Sequence, residues 1–102
     1  MKKHDVLVER ELVSVRNGAC FGIKVNLGEV PLLLVAGEKG YLVCGFFDPK
    51  TIEKVKDAGA IVRGVKTFQE MLDAKVDFAS KEAVKLGVRK GMRGEKALEK
   101  LV

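Results

Sequence analysis

The sequence predicts an α+β fold. It reads as a single domain whose N-terminal four-stranded antiparallel meander continues into a βαβ unit. That gives a mixed five-stranded sheet, with short helices at the C-terminus. Three observations predict it. Residues 6–47 carry strand periodicity broken by Gly-containing turns, the period switches to helical at Asp48-Pro49, and a further strand-like run follows at 60–65. A strand, a helix and a strand in that order mark a parallel crossover.

The first predicted strand is VLVERELVSVR, residues 6–16. Its apolar residues change phase between Val8 and Leu12, which a bulge near Glu9 to Glu11, or burial of both faces in an oligomer, would reconcile. Asn17-Gly18 follows, a pair suited to the positive φ angles of a type I′ hairpin turn. The second strand alternates, with Ala19, Phe21, Ile23, Val25 and Leu27 on one side and Cys20, Gly22, Lys24 and Asn26 on the other. The first set predicts the buried side and the second the more polar one. PLLLVA (31–36) and YLVCGFF (41–47) are unbroken apolar runs joined by GEKG, as in a hairpin whose strands are covered on both faces.

Asp48 is placed to cap a helix and Pro49 to open it. Ile52, Val55 and Ala58 predict its buried stripe and Gly59 its left-handed stop, a helix of about three turns. AIVRGV (60–65) is the fifth strand. Thr67 to Glu70 has the spacing of a capping box, with Phe68, Met71 and Leu72 as the apolar face behind it. The tail predicts two short helices, 81–86 and 94–101, joined by GVRKGM, with Ser80 as the first cap. Ala83, Val84, Leu86, Met92, Ala97, Leu98 and Leu101 are expected to face the core. Residues 1–47 thus form the meander, 48–78 a helix-strand-helix unit and 79–102 a basic helical pair, all within one domain.

Composition narrows the function classes. A chain of 102 residues, 47% hydrophobic and 32% charged, suits one globular domain rather than a disordered segment. No apolar stretch is long enough for a membrane span, and MKKHDVLVE lacks the apolar core of a secretory signal. Two cysteines predict neither a disulfide framework nor a four-ligand zinc site. The cytoplasm is the expected compartment. Asn17, Asn26 and Gln69 are the only side-chain amides in a Lys- and Glu-rich chain, which predicts a heat-adapted protein. From Ala79 onward seven Lys and Arg residues oppose three Glu, so this quarter carries four of the five net positive charges.

The blocks PLLLVAGEKGYLVCGFFD and AGAIVRGVKTFQEMLDAKV, and more weakly ASKEAVKLGVRKGMRGEKALEKL, resemble the YunC-like family of small prokaryotic proteins. The resemblance covers well over half the chain. It implies an α+β fold whose N-terminal β region takes part in tetramerisation. It implies no assigned reaction, cofactor or catalytic residue.

Three sets of residues are candidates for chemistry. Cys44 would be a reactive thiol only with thiolate character and solvent access. It lies within an apolar run, and the single histidine, His4, is a poor general base near the terminus, so core filling is the expected role. Asp48, Lys66 and Thr67, with Cys44, fall at one edge of the predicted parallel pair, where free helix N–H groups favour small anions. Lys50 is a further cation for that edge, and Arg63 another only if its side chain reaches it. Lys85, Arg89, Lys90 and Arg93 form a basic stretch able to meet phosphates, but no aromatic residue accompanies them as single-strand binding would favour. No metal-ligand spacing, P-loop, dinucleotide fingerprint or nucleophile triad is present, and no cofactor is implied.

The expected function is therefore an oligomeric ligand-binding or interaction domain without assigned catalysis. Its self-association, as a tetramer for preference, would use the N-terminal β region. The alternatives are an enzyme acting on a small anionic substrate near Asp48 and Thr67, and a nucleic-acid-binding module using the basic tail.

Overall fold

The computed structural model describes residues 7–102; His4 and Val6, the first residue of the predicted opening strand, lie outside the described residues. Strands β1 (Val8–Val15), β2 (Gly18–Val25), β3 (Leu32–Ala36) and β4 (Tyr41–Val43) form the antiparallel meander. Helix α1 (Pro49–Lys54) crosses to β5 (Gly59–Ile61), which lies parallel to β4. Helix α2 (Phe68–Asp73) leads to β6 (Phe78–Ala79), antiparallel to β5, and α3 (Lys81–Lys85) and α4 (Gly94–Leu101) complete the chain. The α+β class and the mixed sheet are as predicted, with six strands in sequential order rather than five. The added strand is two residues long, too short for any alternation to show in the sequence.

Register sorts the side chains. Val13, Cys20, Gly22, Leu33, Val35 and Leu42 point to one side of the sheet. Leu33, Val35 and Leu42 are fully buried there, in a core that also takes Phe68 and Met71 from α2 and Leu98 and Leu101 from α4. On the other side Val43 and Ile61 pack with Ile52 of α1 in a smaller core. A six-residue helix cannot cover the whole of that side. The part formed by β1, β2 and β3 is left without a helix.

This corrects the reading of β2. Cys20 and Gly22, assigned to the polar side, face the helices, while Phe21 is 46% exposed. The Phe68 ring explains the choice: a Cβ on Gly22 would come within 2.9 Å of it, so the small residues have to lie beneath the ring. No bulge interrupts β1, whose eight residues pair one to one with β2. The predicted phase change is also absent: Val8 and Leu12 share the outward side, 53% and 71% exposed, and Val13 turns inward on the other.

Other boundaries move for local reasons. The first hairpin turns on Arg16-Asn17, with Gly18 already paired to Val15, and Asn17 does not take the positive φ of a type I′ turn. Helix α1 is shorter than predicted. It is closed by Val55 as C-cap and by Lys56 in the left-handed conformation, φ 61°, leaving Gly59 to begin β5. Asp57 N–H donates to the Ile52 carbonyl and Lys56 N–H to the Glu53 carbonyl, the paired bonds of a Schellman stop. Val55 consequently leaves the predicted stripe and is exposed, as are Val84 and Leu86 at α3. The runs 41–47 and 60–65 are strands only over their first residues; Gly64 takes a positive φ, and the chain turns away from the sheet.

Helix α4 is held at its far end by two of the three meander turns, the first and the third. Lys39 N–H donates to the Leu101 carbonyl at 3.0 Å, and Asn17 Nδ2 to the Glu99 carbonyl at 2.9 Å. Gly37 lies directly against the Leu101 carbonyl, leaving no room for a Cβ.

Candidate functional site

The predicted edge exists. β4 and β5 are parallel neighbours, the chain leaves β4 for α1 on one side of the sheet and β5 for α2 on the other, and Asp48 and Thr67 start those helices. Adjacent parallel strands whose connections depart to opposite sides define the crevice favoured for ligands in α/β sheets. The local donors, however, are used by the chain itself. Asp48 Oδ2 accepts from the Thr51 hydroxyl at 2.8 Å and Oδ1 from Lys50 N–H at 3.4 Å. The Thr51 hydrogen bond is the main reason the Asp48 carboxyl titrates below its ordinary value. Thr67 Oγ1 accepts from Glu70 N–H at 3.0 Å, and Glu70 Oε1 accepts in return from Lys66 N–H at 2.7 Å. Lys66 therefore contributes its backbone to the helix start. Arg63 is drawn to Asp77, Nε to Oδ2 at 2.7 Å, which holds that carboxyl low.

Cys44 lies just beyond β4 and is buried. Its Sγ accepts the Leu33 N–H at 3.2 Å, and its own N–H donates to the Leu33 carbonyl. The sulfur thus continues the β3–β4 ladder by one bond. Cys20 is buried in the same core, and burial raises its thiol pKa.

The basic stretch is dispersed by folding. Arg89 Nη1 donates to the Val84 and Val88 carbonyls at 2.8 and 2.9 Å, closing the end of α3. Arg93 pairs with Asp73 at 2.9 Å and Lys85 with Glu82 at 3.0 Å. Lys90 lies near enough to Asp77 to favour its ionised form.

The open clefts lie at the opposite edge of the parallel pair, where the chain enters β4 and β5. One, of about 540 Å³, is lined by Lys39, Lys56, Asp57, Ala58, Glu82, Lys85 and Leu86. A second, of about 380 Å³, shares Lys56 and Glu82 with it and adds Glu53 and Lys81. The Tyr41 hydroxyl donates to Asp57 Oδ2 at 2.7 Å, and burial followed by that carboxylate pushes the phenol far above its ordinary range. Ser80, fully buried, donates to the Asp57 carbonyl and accepts from Gly59 and Ala83 N–H, tying α3 to the end of α1. Sequence reasoning missed this region because its parts, the β3–β4 turn, the end of α1 and helix α3, become neighbours only once the crossover has folded. Among the described residues no cluster of His, Cys, Asp and Glu is arranged to hold a metal ion, and no helix is long and apolar enough to cross a membrane.

Comparison with known proteins agrees with the fold and adds no reaction. Residues 43–101 match the family described as a domain of unknown function, DUF1805. A relative from Bacillus subtilis (strain 168), the uncharacterized protein YunC, is 33% identical over 84 residues, covering 78% of this chain and 83% of that protein. The crystal structure of TA1206, a protein of unknown function from Thermoplasma acidophilum, superposes with a TM-score of 0.87 at 37% identity, covering 93% of each chain. The matched segment runs from the last residue of β4 through α4, so it takes in the crossover helix, β5, the helical pair and the cleft residues other than Lys39. On this sequence and structural agreement, the chain belongs to the DUF1805 family.

Proposed function

We propose that the chain is a self-associating ligand-binding or interaction domain, a homo-oligomer and by preference a tetramer, assembled through the uncovered side of β1–β3. One observation carries this reading. Register places Val8, Leu12, Phe21, Ile23 and Val25 on one side of the sheet, with Arg10 and Ser14 among them, continued by Leu32 and by Leu34, which borders the α1 core, and Leu12 is 71% exposed. Scattered apolar residues need no partner, but a contiguous apolar sheet face in a small domain does. Fully burying one such side chain contributes roughly 1.5–3 kcal/mol. A second copy presenting the same face satisfies both at once.

Light scattering on the purified protein tests the reading. The expected mass is a multiple of the 11.2 kDa chain, four for preference. Replacing Leu12 and Phe21 together by Glu should give a folded 11.2 kDa species, because both side chains point away from the protomer's own core. A wild-type monomer at micromolar concentration, or an unchanged mass in the double variant, overturns it.

The same reading places the protein in the cytoplasm of a heat-adapted prokaryote, supported by its free buried cysteines and scarce amides. A thermal midpoint within the roughly 45–65 °C range of mesophile domains would contradict the heat adaptation.

A further inference from the structure

Lys56 occupies a position where glycine is the usual residue. It is the single non-glycine residue of positive φ among the described residues, and its Cβ must tolerate the left-handed conformation that closes α1. The same side chain lines both clefts between α1 and α3. In the larger cleft the carboxylates already have partners: Asp57 accepts from Tyr41 and Glu82 from Lys85. The side-chain ammonium groups of Lys39 and Lys56 have no hydrogen bond or ion pair among the described residues; only their backbone N–H groups are bonded. Three lysines against two carboxylates leave the cleft an excess of one positive charge. Ala58 and Leu86 supply an apolar wall.

We propose that this cleft binds a small organic monocarboxylate, its carboxylate between Lys39 and Lys56 and its hydrocarbon part against Ala58 and Leu86. The volume, about 540 Å³, lies within the range of small-ligand pockets. The charge class follows from the lining. An excess of one positive charge matches one carboxylate, whereas a phosphate dianion would overcompensate it. Helices α1 and α3 also end at this cleft, and helix C-termini carry partial negative charge that disfavours a dense dianion. No arginine fork lines it, the group best shaped for phosphate. The inference goes beyond the assembly reading and does not depend on it, since the uncovered face is built on β1–β3 and the cleft on the ends of α1 and α3.

The test uses the full chain in its native oligomeric state, isotopically labelled and titrated at constant ionic strength with butyrate, n-butylamine and inorganic phosphate. Butyrate should shift the backbone amide signals of Lys56, Asp57 and Leu86 saturably, and n-butylamine should not. Lys56→Gly separates binding from folding, because glycine suits the local conformation while removing the ammonium. That variant should stay folded and bind butyrate about fivefold more weakly, the scale of one lost partly exposed ion pair. Lys39→Ala combined with Lys56→Gly should abolish saturation. The proposal is overturned if butyrate produces no saturable shift in the wild-type protein, if Lys56→Gly binds it equally well, or if phosphate or n-butylamine binds as tightly.

Discussion

The side-chain amide of Asn17 donates to the Glu99 carbonyl oxygen at 2.9 Å, across 82 residues of sequence. A residue that reads as half of a hairpin turn therefore caps the end of the last helix. Helix C-termini leave carbonyls without partners, and here the meander supplies them. Replacing Asn17 by Ala should lower stability by about 1 kcal/mol, the usual net value of one hydrogen bond. Urea denaturation checks this: the midpoint should fall with the slope unchanged. If the residue mattered only to the hairpin, Asn17→Asp would behave like wild type; with no amide donor to offer Glu99, it should be destabilised as Ala is.

Lys56 makes the opposite prediction. Its left-handed backbone at the end of α1 costs energy that glycine does not incur. Lys56→Gly should raise stability by about 0.5–1 kcal/mol, net of the greater freedom glycine gives the unfolded chain. An increase in the urea midpoint checks it. Lys56→Ala, which keeps a Cβ, should show no such gain.

Acid should act partly through Asp48. Hydrogen bonding by the Thr51 hydroxyl holds this carboxyl below its ordinary value of 3.8 in the folded protein. A depressed folded pKa stabilises the fold fully above the unfolded value and loses that stabilisation as pH falls through the folded one. Stability should therefore decline below about pH 4, and Asp48→Asn should make the decline shallower. Urea midpoints at neutral pH and in the acid limb check the sign. An unchanged difference between the two conditions would refute it.

Legibility in the sequence followed the range of the interactions. The caps at Asp48, Thr67 and Ser80 were readable because each is a short-range bond to N–H groups two or three residues away, and all three form. Phe68 and Met71 were readable as the buried face of α2 for the same local reason. Which side of β2 meets the helices was not readable. The alternation was correct, but the decision rests on the Phe68 ring over Gly22, a contact between residues 46 positions apart. The candidate edge at Asp48 and Thr67 followed from strand order, yet its donors are consumed locally by Thr67, Glu70 and the Asp48 carboxylate. The cleft at Lys39 and Lys56 needed the crossover to be folded before its parts became neighbours.

The grip of the two β turns on α4 sets a time order for biosynthesis. Asn17 and Lys39 leave the ribosome long before Glu99 and Leu101, so the meander emerges with its turn donors waiting and Leu33, Val35 and Leu42 still unroofed. Closure over so long a stretch of chain is slow compared with local helix formation. Nascent protein is accordingly most exposed to aggregation and proteolysis until residue 101 clears the exit tunnel, and premature termination within α4 would leave that vulnerable sheet as the permanent product.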